Sequence, residues 1–394
     1  MNRRTFPAAS SLNLAWPATS RGAGSHEWRV GVIGHTGRGG YGHELDTVWL
    51  EVPGVEIVGV ADANATGLAE AMQRLHIKSG FADYHKMVTA TKPDIVAVCP
   101  RQPDQHCDMI LAAIEAGARG IYVEKPFCRT AAEADEIVMA CENRGAKLAV
   151  AHRNRYHPTL QAIDQLIADG GIGKVLEIRG RGKGDRRGGG EDLWVLGSHV
   201  MNLLCYFGGK PASCSAVLTQ DGRPVTKADV QEGNETLGPL AGNEVHARYQ
   251  MGRGMVAYFD SIANDGTQNA GFGLQIIGNQ GIVDIQCDRH PLAHLMPDNP
   301  FKPTSKPRRW IPISSAGPGI PEPRDDLVEM ITHHGGPARD LLEAIRDARQ
   351  PLCSVYEGAK TVEMISAVFA SHQLGGQAVP FPLEERSNAL ARLS

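Results

Sequence analysis

The chain lacks the devices that hold small or secreted domains together. Its eight cysteines, Cys99, Cys107, Cys128, Cys141, Cys205, Cys214, Cys287 and Cys353, include no C-x-x-C pair, so neither a zinc ribbon nor a disulfide framework fits. No apolar run approaches the ~18 residues of a membrane span. An excess of one charge is missing too: 40 Lys and Arg face 44 Asp and Glu, a formal net charge of −4. A protein that tracks nucleic-acid phosphates needs a basic surface, so no nucleic-acid partner is expected. No internal repeat is found. His333-His334 stands in a glycine-rich loop without a third ligand at useful spacing, and no metal site is expected.

What the chain has in excess is glycine. Its 45 glycines in 394 residues exceed the usual ~7%, which implies many tight turns and close backbone approaches. The length suits two domains, or at most three, of ~100–200 residues each. Residues 1–28 do not read as fold. Asn2-Arg3-Arg4-Thr5-Phe6 resembles a twin-arginine export signal, followed by a weakly apolar stretch and small residues at Ala18-Thr19-Ser20. Periplasmic export of a folded protein is the expectation, with a cytoplasmic protein carrying an irregular tail as the alternative.

From Arg29 to Ala151, short apolar runs alternate with helical patterns. Strands are expected at residues 29–34, 55–60, 94–98, 120–123 and 147–151, nearly continuously apolar as strands covered on both faces must be. Helices are expected at 66–75, 104–115 and 131–142, the last opened by a Thr130/Glu133 capping box. This is the grammar of a doubly wound parallel sheet. After residue 152 the pattern becomes period-two: strands at 175–181, 213–219, 244–250, 254–260, 272–277 and 281–286 imply a large, mainly antiparallel open sheet. Helices at 158–168, 338–349 and 357–372 accompany it, residues 297–323 read as an irregular Pro-rich excursion, and a short strand is expected near 379–382. The domains are therefore read as 29–151 and 152–394.

The first strand runs into Gly34-His35-Thr36-Gly37-Arg38-Gly39-Gly40-Tyr41-Gly42. A glycine-rich loop placed between a strand and a helix lets bare amides face a pyrophosphate. Two registers compete, Gly34/Thr36/Gly39 and Gly37/Gly39/Gly42, and a lengthened loop hinged at Gly34 reconciles them. Asp62 follows the second strand, where a carboxylate can accept both ribose hydroxyls of adenosine and repel a 2′-phosphate. No Arg or Lys follows in Ala63-Asn64-Ala65, so NAD is expected and NADP is less favoured. Glu124-Lys125-Pro126 stands at the carboxyl edge of the fourth predicted strand, where an ammonium can stabilise developing alkoxide charge.

In this order the fingerprint loop, Asp62, Pro100…His106, Glu124-Lys125-Pro126-Phe127, Arg155-Tyr156-His157-Pro158 and Gly188-Gly189-Gly190…Gly197-Ser198-His199 resemble the Gfo/Idh/MocA oxidoreductase family over roughly residues 29–382. The resemblance implies an N-terminal Rossmann domain and a C-terminal α/β domain whose open sheet makes a homodimer or homotetramer. It also implies NAD(P)-dependent chemistry at the hydroxyl or carbonyl of a small carbohydrate. Gly34, Thr36, Gly37, Arg38, Gly39, Gly42, Asp62, Pro100, His106, Glu124 and Lys125 would then line the cofactor. Lys125 would sit between nicotinamide and substrate, and His199 would exchange the hydroxyl proton, a task suited to a group with a pKa near neutrality. The Asp that the family commonly carries four residues before this His is Val195 here, and Asn202 also replaces a frequent Asp. Asp192 is the candidate substitute, at seven-residue spacing on one helical face.

Arg155, Arg186 and Asn202 are the candidate substrate contacts. The cations Arg179, Arg181, Lys183, Arg186 and Arg187 point to an acidic or heavily hydroxylated substrate. Two further readings share the cofactor site: a redox-neutral NAD-dependent glycoside hydrolase or lyase, and a non-catalytic nucleotide-binding regulator of the same fold.

Overall fold

The protein is described by a computed structural model covering residues 27–252 and 254–393, so the expected twin-arginine segment lies outside the described residues. The first sheet comprises β1 (Trp28–Ile33), β2 (Val55–Ala61), β3 (Gly80–Phe81), β4 (Ile95–Val98), β5 (Gly120–Val123) and β6 (Lys147–Val150). Its order is β3-β2-β1-β4-β5-β6 with every neighbour parallel. Strand order reverses between β1 and β4, and a crevice opens there at the carboxyl ends.

Alternate residues of each strand feed two cores. Ile33, Val96, Val98, Ile121 and Val123 face one side, Val30, Val32, Ile95 and Tyr122 the other. The connecting helices are α1 (Val48–Glu51), α2 (Ala65–Arg74), α3 (Tyr84–Thr91), α4 (His106–Glu115) and α5 (Ala131–Arg144). At the start of α5, Thr130 accepts from the Glu133 amide at 3.1 Å, while the Glu133 carboxylate takes the Arg129 amide at 2.7 Å. Half of the expected capping box is thus formed. Gly145 ends the helix in the left-handed region at φ 68°.

Two expectations change. The glycine loop does not open a long helix: residues 41–47 are turns, and α1 is only four residues long. A helix that short covers little of the sheet. The missing layer comes from α9 (Gly335–Arg346), whose Ala338, Leu341 and Leu342 pack in the same core as Val30 and Tyr122. The first structural unit therefore draws on residues well beyond 151.

The second sheet is built from β7 (Val175–Arg181), β8 (Pro211–Gln220), β9 (Arg223–Pro224), β12 (Glu244–Met251), β13 (Val256–Ile262), β14 (Gly273–Gly278), β15 (Gly281–Gln286), β16 (Ala293–Pro297), β17 (Ile311–Ser314), β18 (Gly317–Pro318) and β19 (Val379–Pro380). A separate two-stranded hairpin, β10 (Gln231–Glu232) with β11 (Pro239–Leu240), projects from it. Apart from the parallel β7–β13 pair, the sheet is antiparallel. The Pro-rich stretch thus contains sheet as well as loop, because β17 pairs with β16.

One face of this sheet is covered by α6 (Thr159–Ala168), α7 (Gly190–Val195), α8 (Gly197–Gly208) and α10 (Val355–Gln373). α7 and α8 are two helices, not one. At Leu196 the bonding tightens from Leu196 N–H to the Asp192 carbonyl (3.0 Å) to His199 N–H to the Leu196 carbonyl (3.1 Å). The phase of the helical face is reset at that step.

Candidate active site

The loop after β1 closes on itself. His35 and Gly40 exchange amide–carbonyl bonds of 3.0 Å each, making a small bridged loop longer than either simple register. Gly37, Gly39, Gly40 and Gly42 all have positive φ, conformations that favour glycine. A Cβ on Gly39 would stand 2.4 Å from the Arg101 amide nitrogen, and one on Gly42 2.5 Å from the Cys99 carbonyl oxygen. Gly37 and Gly40 instead look onto open space, with nothing within 4 Å of a built Cβ. Among the described residues the Gly37 and Gly39 amides have no acceptor. This bare, donor-rich backbone at the sheet's switch point fits a pyrophosphate.

The neighbouring predicted contacts are spent differently. Asp62 is fully buried at the end of β2 and accepts from Thr36 Oγ1 (2.7 Å), Thr36 N (3.0 Å), Tyr41 Oη (3.0 Å) and Asn64 N (2.9 Å). In this conformation it pins the loop and does not present a free carboxylate to a ribose. Arg38 pairs with Asp104, and His35 Nδ1 meets Gln105 Oε1 at 2.9 Å. His106 is wholly buried, its ring held between the carbonyls of Pro100 (2.7 Å) and Phe127 (3.1 Å). It props the loops that carry Pro100 and the Glu124–Phe127 turn and has no surface left for a cofactor.

β5 delivers Glu124 and Lys125. The Glu124 carboxylate is buried with Oε2 unpartnered and Oε1 on His43. Burial would raise its pKa, but the His43 hydrogen bond and the charges of His43, Lys125 and His334 hold it below the usual range. Lys125 is 8% exposed, and its Nζ makes one bond, 3.3 Å to the Val195 carbonyl. Burial pulls the Lys125 pKa down against the opposing fields of Glu124, Glu235 and Asp288.

α8 brings His199 to the same junction, 4% exposed, with Nδ1 unpartnered. Asp192 does not reach it. The break at Leu196 turns that carboxylate to Ser261 Oγ (2.6 Å) and the Lys183 amide (3.1 Å), where burial raises its pKa. The carboxylate that acts on His199 is Asp288, on the turn after β15, which the sequence reading missed. Asn154 Nδ2 and Arg153 Nε each donate to Asp288 Oδ1 at 3.0 Å, and Asn154 Oδ1 accepts the Asp288 amide at 2.9 Å. Burial lowers the His199 pKa well below the ordinary 6.5, and Asp288 resists that fall.

The other candidates divide. Arg155 stacks over the Tyr206 ring at 3.8 Å, a packing role. Asn202 is buried beside the junction, accepting from Cys353 Sγ at 3.9 Å with Nδ2 unpartnered. Of the five cations, Arg179, Arg181, Lys183 and Arg187 pair with Glu177, Asp265, Asp185 and Asp185. Only Arg186 has no ion pair among the described residues. It lines a cavity of about 470 Å³ with Asp185, Arg187, Glu191, Asn234 and Glu235, a mixed-charge wall in place of the expected basic mouth.

A doubly wound parallel sheet with a bare-backbone glycine loop at its switch point is the arrangement of a dinucleotide-binding Rossmann fold. Residues 28–152, about a third of the chain, match the model of the Gfo/Idh/MocA oxidoreductase family, described as having an NAD-binding Rossmann fold. The chain is 34% identical over 125 residues to D-apiose dehydrogenase of Paraburkholderia graminis, covering 32% of this chain and 33% of that protein. It is 25% identical over 255 residues to levoglucosan dehydrogenase of Pseudarthrobacter phenanthrenivorans, covering 58% and 65%. With inositol 2-dehydrogenase of Salmonella typhimurium it shares 27% over 155 residues, 39% of this chain and 45% of that one. The chain thus spans between a third and about two thirds of the length of these relatives. A levoglucosan dehydrogenase structure in complex with NADH and L-sorbose superposes with a TM-score of 0.70 at 20% identity, over 90% of this chain and 99% of that one. The likeness of fold therefore extends through both sheets.

Proposed function

We propose that the chain oxidises, or in reverse reduces, a CH–OH centre of a sugar, sugar acid or cyclitol, with NAD in the crevice of the first sheet. The observation that carries this reading is the junction itself: a sealed Lys125 with a single bond to Val195, beside a buried His199 that lacks a partner. Bound NAD would supply the hydride acceptor at this edge. The residues supply the rest. Gly37 and Gly39 offer amides to the diphosphate; Asp62, engaged by Thr36 and Tyr41, acts there through its negative charge, which disfavours a 2′-phosphate, and no cation follows it to offset that charge. Lys125 holds the reacting oxygen and stabilises the negative charge it gains as the C–H bond breaks. His199, kept neutral by burial, accepts the hydroxyl proton in oxidation and returns it in reduction. Arg153 and Asn154 hold Asp288 where its charge favours the resulting imidazolium.

The test is a panel of sugars, uronates and cyclitols with purified protein and NAD, read by cofactor fluorescence. Turnover is expected for at least one member. Lys125→Met should lower it by about 10²–10³-fold, the cost of one donor to a developing oxyanion, while NADH affinity stays within a few-fold. Undiminished turnover in that variant would remove Lys125 from the chemistry. Product formed without net cofactor reduction would replace this reading by the redox-neutral one.

A further inference from the structure

Six histidines are buried among the described residues: His106, His152, His157, His199, His334 and His372. Four are fastened. His106 lies between two carbonyls, His157 Nδ1 accepts the Thr159 amide (3.2 Å), His334 Nδ1 meets Tyr122 Oη (2.6 Å), and His372 Nδ1 accepts the Leu218 amide (3.2 Å). His199 and His152 make no hydrogen bond through the ring. In His152 both ring nitrogens are sealed and unpartnered, and the residue is 1% exposed. Leaving a buried polar atom unsatisfied forfeits its hydration without return, so an imidazole with two such atoms is a poor structural filler.

Its surroundings indicate what completes it. The chain leaves β6 at Val150, and the His152 ring meets the His199 ring edge-on with centroids 5.4 Å apart. Cys353 Sγ, with one hydrogen to share, lies 3.7 Å from the His152 carbonyl and 3.9 Å from Asn202 Oδ1, so the His152 backbone and the Asn202 side chain, whose Nδ2 is unpartnered, meet at one thiol. No group of three or more His, Cys, Asp or Glu side chains suited to a metal ion occurs among the described residues. Burial and the neighbouring Lys125 ammonium push the His152 pKa down to about 3. The ring is therefore neutral, with one donor and one acceptor, the complement of a hydroxyl group and a poor match for an anion.

We infer that His152, with Asn202, binds the hydroxyl next to the reacting one, so that the substrate is a vicinal diol on a polyhydroxylated ring. The inference rests on the proposed function and adds the recognition of a second oxygen. Lys125 and His199 address the oxygen that changes oxidation state, and His152 addresses its neighbour. A substrate lacking that neighbour would leave the His152 nitrogens unpaired, which is how a buried polar site rejects a deoxy analogue.

The experiment compares wild type with His152→Phe, which fills the space without nitrogens, and His152→Asn, which restores a donor and an acceptor. Melting temperature without ligand, NADH affinity by fluorescence, and KM and kcat with myo-inositol, D-glucose and levoglucosan are measured for each. His152→Phe should melt at or above the wild-type temperature and bind NADH within about threefold. It should raise KM at least about tenfold with a smaller change in kcat, and His152→Asn should recover part of the loss. A melting temperature several degrees lower would make His152 structural. A tenfold loss of NADH affinity would make it a cofactor contact, and an unchanged KM would remove it from the substrate; each overturns the inference. If wild type binds NADH but oxidises neither these three nor any member of the wider panel of sugars, uronates and cyclitols, the proposed function fails separately. Calorimetric binding of the same compounds then decides His152: binding lost in His152→Phe sustains the inference, and binding absent or unchanged overturns it.

Discussion

In the proposed reaction His199 works without a carboxylate on its own helix, and the pH dependence of that reaction should carry the mark of the arrangement. Oxidation requires the neutral imidazole, so activity is lost as pH falls through the His199 pKa. Burial sets that pKa below 6.5, with Asp288 holding it up in part. The ammonium of Lys125 is needed as well, so activity is lost again as pH rises through a pKa that burial has lowered from 10.5. Both limbs of the pH–kcat/KM profile should therefore lie on the acid side of the ordinary values. Asp288→Asn keeps the amide and side-chain bonds to Asn154 but removes the charge, so the acid limb should move to still lower pH. An acid limb that stayed in place or moved upward would show that Asp288 does not act on His199. Asp288 was not legible in the sequence because a lone Asp in a turn carries no pattern. Its role arises from a left-handed residue (φ 58°) and from bonds to Asn154, 134 positions away in the chain.

Elements with a strong local signal were readable to within a few residues: β5, β7 and β15 have the predicted bounds, and β6, α5 and α10 differ by only a few positions. Those set by tertiary packing were not. α3 and the strands β16 and β17 have weak periodicity of their own, and the α7–α8 break at Leu196 depends on what the helices pack against. The helix expected after the glycine loop shrank to α1 because Gly40, Gly42 and Glu44 all take positive φ, which a helix cannot contain. The loop itself was legible, and its glycines now separate into two kinds. Gly42 and Gly39 lack a Cβ because the backbone of Cys99 and Arg101, just after β4, fills the space, whereas Gly37 faces solvent with nothing in the way. Gly37→Ala should therefore cost the fold only about 1–2 kcal/mol for a left-handed non-glycine residue, but weaken NADH binding, as the added methyl stands over the amides. Gly42→Ala should lower the melting temperature much further, and thermal melts with fluorescence titrations would read both. Equal loss of stability in the two variants would refute this division.

The two sheets meet through a continuous apolar core, yet the polar groups of the site are concentrated at their joint: Lys125 from the first, His199 under the second, His152 in the link between them. A molecule built this way should come apart in acid sooner than its near-neutral charge suggests. Burial holds the pKa of His152 at about 3, and those of His157 and His334 at about 4, against 6.5 in the unfolded chain. Above pH 6.5 both states are neutral and the folded form bears no penalty. As pH falls from 6.5 toward the folded values, the unfolded chain takes up protons that the folded one refuses, and stability is lost. The slope is about 1.4 kcal/mol per pH unit for each histidine. Asp288, whose carboxyl is held low by His199 and Arg153 despite its burial, adds a loss of the same sign at lower pH. Urea midpoints measured between pH 6.5 and 4.5 should fall steeply, and His152→Phe, which removes one such group, should flatten the slope by about 1.4 kcal/mol per pH unit. Parallel slopes in the two proteins would mean that His152 takes up its proton in the folded state, and that water, not protein, surrounds the joint between the sheets.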